Sequence, residues 1–174
     1  MKRRTTSPQD KNLDIIKLIL RDHQYLKNLI RVLVSDNADF RKKSRTFGEF
    51  APLLIAHAKP EEQSLYVHLK ETKTLREHGF EGDVEHHIVD QLLNSILGTR
   101  DQDEWLAKVK VLGELLQHHI EEEENDLLPL CREELTLDER IEVGREFLQI
   151  KQRLASRDAA GKRARRQALE AQTI

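Results

Sequence analysis

Histidine and glutamate occur four residues apart on an apolar stripe at two places in the chain, as His57 with Glu61 and as His119 with Glu123. Residues with this spacing lie on one face of an α-helix. Each pair can therefore offer an imidazole nitrogen and a carboxylate oxygen to the same ion. Ligands of both kinds suit transition metals.

The run HHIEEEENDLLP, which begins at residue 118, contains a competing pair, His118 and Glu122. His119 and Glu123 continue the apolar stripe of their helix, whereas the stripe through His118 turns polar at Glu122. We therefore predict that His119 and Glu123 point into the core, and that His118 faces solvent or forms hydrogen bonds.

A single histidine precedes each pair at nearly the same distance. His23 lies 34 residues before His57, and His86 lies 33 residues before His119. The pattern predicts two copies of one helical hairpin, each with one histidine on its first helix and a His–Glu pair on its second. The neighbouring His87 lies off the apolar stripe, so we predict that it flanks the site.

Six polar side chains are thus predicted to point inward at one level of the core: His23, His57, Glu61, His86, His119 and Glu123. A buried carboxylate without a partner is costly, so a compensating charge is expected. The set is too rich for one tetrahedral zinc and suits two octahedral ions with each glutamate bridging both. Its nitrogen content favours iron over calcium or magnesium. The alternative is a metal-free bundle in which these groups are solvated or merely paired.

Apolar residues in steps of three and four predict the helices that must position these groups. The predicted helices run from Ser7–Pro8 to about residue 35, from 44 to 72, from a loop at Gly79–Gly82 to Gly98, and from 103 to 131, and a fifth starts at the capping box Thr136–Glu139. The predicted fold is all-α, an up-down antiparallel four-helix bundle with an additional C-terminal helix. The predicted divisions are a tail over 1–9, the bundle over 10–134, and the C-terminal helix with a basic tail over 135–174.

Composition limits the classes of function. The net charge is -2, so the chain as a whole has no electrostatic attraction to nucleic acid. Its one cysteine, Cys131, fits a reducing compartment, and the opening MKRRTTSPQDKN has no apolar segment behind it. These features predict a cytoplasmic protein without a membrane span. From Lys151 to Arg166 there are seven basic residues and one acidic residue, so this tail either contacts nucleic acid or an acidic partner, or is a solvated, partly disordered helix.

The ordered motifs resemble the hemerythrin-like HHE cation-binding family over roughly residues 10 to 150. The motifs are Asp22-His23, His57-x-x-x-Glu61-Glu62, Glu85-His86 and His119-x-x-x-Glu123-Glu124. The resemblance implies an oxo- or hydroxo-bridged non-haem di-iron centre. It also implies that the four histidines are terminal ligands and that Glu61 and Glu123 are bridging ligands.

Members of this family carry or sense oxygen, or handle nitric oxide, peroxide or iron. Asp90 stands where the oxygen carriers have a further histidine, four residues after His86. We therefore expect reaction with a small oxidant (peroxide, nitric oxide or oxygen) in a stress response, in preference to reversible oxygen transport. The alternatives are an iron- or oxygen-responsive module that acts through a partner, and an iron-holding protein. By spacing, Asp90 faces the site, where it is either an extra ligand or a hydrogen-bonded carboxylate.

Three further residues carry expectations that depend on helix register. Pro60 lies inside the His57–Glu61 pair and cannot donate the helical hydrogen bond, so either the helix kinks there or the pair is displaced. Tyr66, nine residues after His57, is predicted to lie on the opposite face and to serve in packing. His78 is predicted to lie in the loop before the third helix.

The register predicts different effects of substituting the two adjacent histidines. His119→Ala should lose metal, because it removes an inward ligand, whereas His118→Ala should largely retain it. Metal content per folded chain checks this, with circular dichroism controlling for loss of structure. Equal loss in both variants, or the reverse order, would show that the register is wrong.

Overall fold

The computed structural model describes residues 10–171, and every regular element in that range is helical. The elements are a 3₁₀ turn at Asp10–Leu13, α1 at Ile15–Val34, α2 at Phe40–Glu62, α3 at Leu65–Glu71, α4 at Arg76–Gly98, α5 at Gln102–Glu122, a π-helical segment at Glu123–Leu127, α6 at Leu128–Glu134 and α7 at Leu137–Ala171. Helix α1 packs against α2 and α5, and α4 packs against α5 and α2. The prediction of an all-helical fold is confirmed.

The first helix begins later than the sequence pattern predicted. The expected cap at Ser7–Pro8 lies outside the described residues, but the residues that follow form the 3₁₀ turn instead of α-helix. Helix α1 starts at Ile15 because the Asp14 side chain accepts a hydrogen bond from the backbone N–H of Ile16. Such a cap satisfies one of the donors that the first helical turn leaves free.

The second predicted helix is two helices, because α2 ends at Glu62 and α3 begins at Leu65. Pro60 has no N–H to donate, which removes one hydrogen bond from the last turn of α2. The Ser64 hydroxyl then donates to the carbonyl oxygen of Pro60 at 2.7 Å, in competition with the backbone. The chain therefore changes direction just after the His57–Glu61 pair, which itself stays helical.

The predicted loop at Gly79–Gly82 was wrong, because both glycines lie inside α4. Their role is close packing against α3. A Cβ added at Gly82 would lie 2.7 Å from Cε2 of Tyr66, well inside normal contact distance. Helix α4 can thus start at Arg76, and His78 is helical and not in a loop.

The fourth predicted helix is interrupted by the π-helical segment Glu123–Leu127, where the backbone N–H of Leu128 reaches the carbonyl of Glu123. Pro129 follows directly, and an α-helical proline ring would collide with the carbonyl four residues earlier. The wider turn relieves that collision. Short π segments often occur at functional sites, and this one begins at a candidate ligand.

The apolar core consists of two clusters on either side of a polar layer. One contains the start of α1, α3, α6 and part of α7, including Ile15, Leu65 and Phe147. The other contains the remaining lengths of α1, α2, α4 and α5, including Phe50 and Leu112. The candidate ligands of α1 and α2, and Glu123 of the π segment, fall between the two clusters in sequence, so apolar side chains lie on both sides of them.

Helix α7 packs onto the rest of the molecule. The capping box is confirmed, since the Thr136 N–H donates to Glu139 Oε2 at 2.8 Å and the Glu139 N–H donates to Thr136 Oγ1 at 3.3 Å. Phe147 is buried in the first apolar cluster, and α7 packs against α2, α1 and α3. The predicted domain divisions stay a prediction, and residues 1–9 and 172–174 lie outside the described range.

In the described part of the chain, no helix combines the length and the apolar character that crossing a bilayer requires.

Two glycines of α7 provide a matched test of this packing. A Cβ on Gly144 would overlap the carbonyl oxygen of Leu13, whereas a Cβ on Gly161 would meet open space. Gly144→Ala should lower the free energy of unfolding by about 3 kcal/mol through overpacking. Gly161→Ala should leave it unchanged or raise it by up to about 1 kcal/mol. Urea unfolding checks both, and equal effects would contradict close contact at Gly144.

Candidate metal centre

All six predicted ligand residues are buried, and they form two groups of three that we call the first and second triads. The first triad is His23, His57 and Glu123; the second is Glu61, His86 and His119. Within each triad, one potential ligand atom per residue lies within 4.8 Å of the others. Each triad draws on both hairpins of the sequence repeat. The tertiary structure thus brings together all six residues.

Each glutamate lies between the two triads. Glu61 Oε2 is 3.4 Å from Nε2 of His57 and 3.8 Å from Nε2 of His86. Glu123 Oε2 faces one histidine of each triad in the same way, at 3.1 Å from Nε2 of His23 and 3.6 Å from Nε2 of His119. Both carboxylates therefore occupy positions from which they could contact two ions.

Seven of the eight buried side-chain atoms found without a hydrogen-bond partner in the described residues belong to five of the six candidate ligands, His119 being the exception. They include both oxygens of Glu61 and both nitrogens of His57. Burial, together with the charge of Glu123, raises the pKa of Glu61 well above its usual range. Burial also lowers the pKa of His57 to about 4. A cation among the inner atoms, which are Nε2 of His23 and His57, both oxygens of Glu61 and Oε2 of Glu123, would satisfy five of the seven, so the donor set fits a metal.

The Glu123 carboxyl behaves differently from Glu61. Burial alone would raise its pKa, but His119 and His23 outweigh that effect and lower it below the usual range. Two carboxylates so close together repel one another unless positive charge lies between them. A cation between the two carboxyl groups would relieve this repulsion and allow both to be ionised.

A second set of carboxylates holds the outer nitrogens of the histidines. Each of these acids neighbours a candidate ligand on its own helix and contacts a histidine of the next helix. The Nδ1 contacts are Asp22 to His57 at 3.7 Å, Glu62 to His86 at 3.3 Å, Glu85 to His119 at 2.7 Å and Glu124 to His23 at 3.1 Å. The contacts form a closed ring through α1, α2, α4 and the α5–π segment. Carboxylates in this position orient imidazoles so that Nε2 faces the metal.

Lysines neutralise three of the four ring carboxylates. Lys27 donates to Glu124 at 2.7 Å, and Lys59 donates to Glu62 at 2.9 Å. Lys151, the first residue of the predicted basic tail, forms an ion pair with Asp22. Helix α7 is therefore connected to the candidate ligand His57 through Asp22.

Asp90 belongs to this outer layer. Its carboxylate forms an ion pair with Lys59, and it is absent from both triads. Of the two roles that spacing left open, the structure shows the carboxylate engaged by a lysine. The position at which oxygen carriers have a further histidine is thus part of a salt bridge here.

Tyr66 is the site residue that sequence reasoning missed. It is fully buried, and its hydroxyl donates to Glu123 Oε1 at 2.7 Å and lies 3.4 Å from Nε2 of His86. The prediction that it faces away from the site was wrong, because register was counted from His57 through a helix that ends at Glu62. Pro60 was the available signal, since helical register cannot be extended safely past a proline.

The remaining histidines stay outside both triads. His118 is largely exposed and lies 3.2 Å from Glu122, whereas His119 is buried. His87 is exposed and hydrogen-bonded to Gln91 at 2.9 Å. These positions match the expected register of both His–His pairs in the sequence.

A cavity of about 130 Å³ adjoins the second triad. Tyr66, His119 and Glu123 line its buried end, and Gly82 forms part of its wall. The rest of its lining is rich in carboxylates, which come from Glu81, Glu85, Glu122 and Asp126. A small molecule or ion in this cavity would therefore lie directly against the candidate ligands.

Comparison with known proteins gave one match. The family model described as hemerythrin HHE cation binding domain matches residues 14–131, a segment that contains all six triad residues. No curated protein and no solved structure shows a significant match to the chain.

The carboxylate ring predicts that Glu85 supports metal binding without being a ligand. Glu85→Ala should weaken metal affinity roughly 10- to 100-fold, because His119 loses the group that orients it. Glu81→Ala, one turn earlier on α4, is the matched control and should bind as the wild type does. Chelator competition measures both affinities. If Glu85→Ala binds metal with unchanged affinity, the ring carboxylate does not contribute to metal binding.

Proposed function

The chain belongs to the hemerythrin HHE cation-binding domain family, and we propose that it is a non-haem di-iron protein that reacts with a small oxidant. The observation that carries this proposal is the position of Glu61 and Glu123, each within 3.8 Å of a histidine nitrogen from both triads. Carboxylates placed in this way can bridge two ions. We further propose that α1, α2, α4 and α5 form an up-down four-helix bundle around the ions.

The choice of iron rests on the donor set. Each triad offers two imidazole nitrogens and one carboxylate. Calcium and magnesium prefer sites made of oxygen alone. Mixed nitrogen and carboxylate donors suit iron, and neither triad has the thiolates of a structural zinc site. When bound, iron would supply redox chemistry that the side chains alone cannot perform.

Open coordination positions favour reaction over storage. Two octahedral ions offer about twelve positions, of which four imidazoles and two bridging carboxylates fill about eight. An oxo or hydroxo bridge would fill two more and leave roughly one position on each ion. Open positions distinguish reactive metal sites from purely structural ones.

The size and lining of the cavity beside the second triad favour a small uncharged substrate. Its volume of about 130 Å³ suits molecules the size of peroxide, nitric oxide or oxygen. Its carboxylates repel anions, because a cleft lined by one sign of charge concentrates ions of the opposite sign. The same lining would attract ferrous ions, so loading of the site and entry of the oxidant can share this route.

The chain's own residues hold the site ready for such chemistry. The ring carboxylates orient the imidazoles through Nδ1, and the apolar clusters on either side exclude bulk water. At the position where oxygen carriers have a further histidine, this chain has Asp90, whose carboxylate forms an ion pair with Lys59. This arrangement favours oxidation or turnover over stable oxygenation. We assign the protein to a cytoplasmic oxidative or nitrosative stress response.

A second candidate is an iron- or oxygen-responsive module that acts through a partner. It is favoured by the connection from His57 through Asp22 to Lys151 on α7, because a change at the metal could alter how α7 is held. The basic residues beyond Lys151 would then contact an acidic partner. In the segment 152–166, the side chains of Asp158, Lys162 and residues 164–166 lie outside the described residues.

Metal content and reactivity test the proposal together. Protein from iron-replete expression should hold about two irons per chain by elemental analysis, as two octahedral triads require. The anaerobic diferrous form should change its visible spectrum within minutes of adding peroxide, nitric oxide or oxygen. His87→Ala, which alters an exposed histidine, should behave as the wild type. One iron or fewer would contradict the di-iron site, and two irons without a spectral change would favour iron holding or partner binding.

A further inference from the structure

The hydroxyl of Tyr66 contacts one residue of each triad, Glu123 of the first and His86 of the second. It is 2.7 Å from Glu123 Oε1 and 3.4 Å from Nε2 of His86. Nε2 of His86 is in turn 3.1 Å from Nε2 of His119. Neighbouring ligand atoms on an octahedral ion with bonds of about 2.1 Å are about 3 Å apart. The Tyr66 oxygen is thus spaced from its neighbours as one ligand atom is from another.

The position of Tyr66 is built into the fold. The side chain is fully buried and belongs to the same apolar cluster as Phe147. Its ring lies against Gly82, where any Cβ would come within 2.7 Å of the ring carbon Cε2. The ring also packs against the His86 imidazole, with centroids 5.1 Å apart. These contacts hold the hydroxyl in one place, as ligation requires.

From this geometry we propose, on the basis of the proposed function, that Tyr66 is a seventh protein ligand, bound as phenolate to the ferric ion of the second triad. Coordination would replace the hydrogen bond to Glu123, because the cation would take the place of the phenolic proton. That proton leaves to solvent through the cavity that Tyr66 itself lines. No electron is transferred in this step.

Tyrosinate ligation would make the two ions different from each other, because it would fill the position left open on the ion of the second triad and leave the open position of the first. His23, His57 and Glu123 form the first triad, and Tyr66 is hydrogen-bonded to that triad only through Glu123 Oε1. A phenolate is a hard anionic donor, so it favours the ferric over the ferrous state of the ion that it binds. This preference opposes reversible oxygen carriage and is consistent with a site that is oxidised in use.

The chain provides its own control, because it has two tyrosines and the other one, Tyr25, is exposed. The diferric wild type should show a broad visible absorption band from phenolate-to-iron charge transfer, with phenolate ring modes enhanced in its resonance Raman spectrum. Tyr66→Phe should lose both signals completely, whereas Tyr25→Phe should keep them. Phenylalanine retains the ring that packs against Gly82, and circular dichroism with iron content per chain confirms that the variant is folded and loaded.

The outcomes separate this inference from the proposed function. A wild type that holds two ferric ions without phenolate Raman modes overturns the ligand role of Tyr66 and leaves the di-iron proposal standing. The same holds if Tyr66→Phe keeps the signals. A wild type that holds no iron overturns both. The Raman measurement on the wild type needs no variant, so it decides the question even if Tyr66→Phe fails to fold.

Discussion

The rest of the structure depends on the burial of two carboxylates, Glu61 and Glu123, in the middle of an otherwise apolar core. A carboxylate in such surroundings is strongly unfavourable without a compensating charge. The four imidazoles around them are largely buried as well, and burial lowers the pKa of His57 to about 4. Burial also raises the pKa of Glu61, so without metal the layer favours a protonated, neutral carboxyl at that position. A cation in the layer would allow both carboxylates to be ionised and would connect the helices that carry the six side chains.

The ring of outer carboxylates shows how the helices are coupled around that layer. Each outer carboxylate contacts a histidine of the next helix. The orientation of every candidate histidine ligand therefore depends on a neighbouring element. Three of the acids are neutralised by lysines, which reduces the charge that the inner carboxylates experience. Through Lys151 this support extends to α7, which lies beyond the segment that matches the family model. The C-terminal helix is thus a structural part of the site's surroundings.

The departures from regular α-helix lie next to the site. The chain breaks two residues after Glu61, and the π-helical segment begins at Glu123. Gly82 lets α4 approach α3 closely enough for Tyr66 to fit. Each departure from α-helix lies beside a proline, Pro60 or Pro129, and next to a carboxylate of the site. Irregularities of this kind cost stability and persist where the surrounding structure requires them.

The sequence by itself determined the all-helical class, the two-hairpin repeat and the choice of His119 over His118. Helical periodicity relates residues of one continuous helix, so polar groups on an apolar stripe can be recognised without coordinates. Only the tertiary structure decided that Tyr66 enters the site, that Asp90 binds Lys59 and that the glycines of α4 serve packing. These outcomes depend on where one helix ends and how closely the next approaches it. No local spacing rule contains that information, because a break of two residues after Glu62 redirects every side chain that follows.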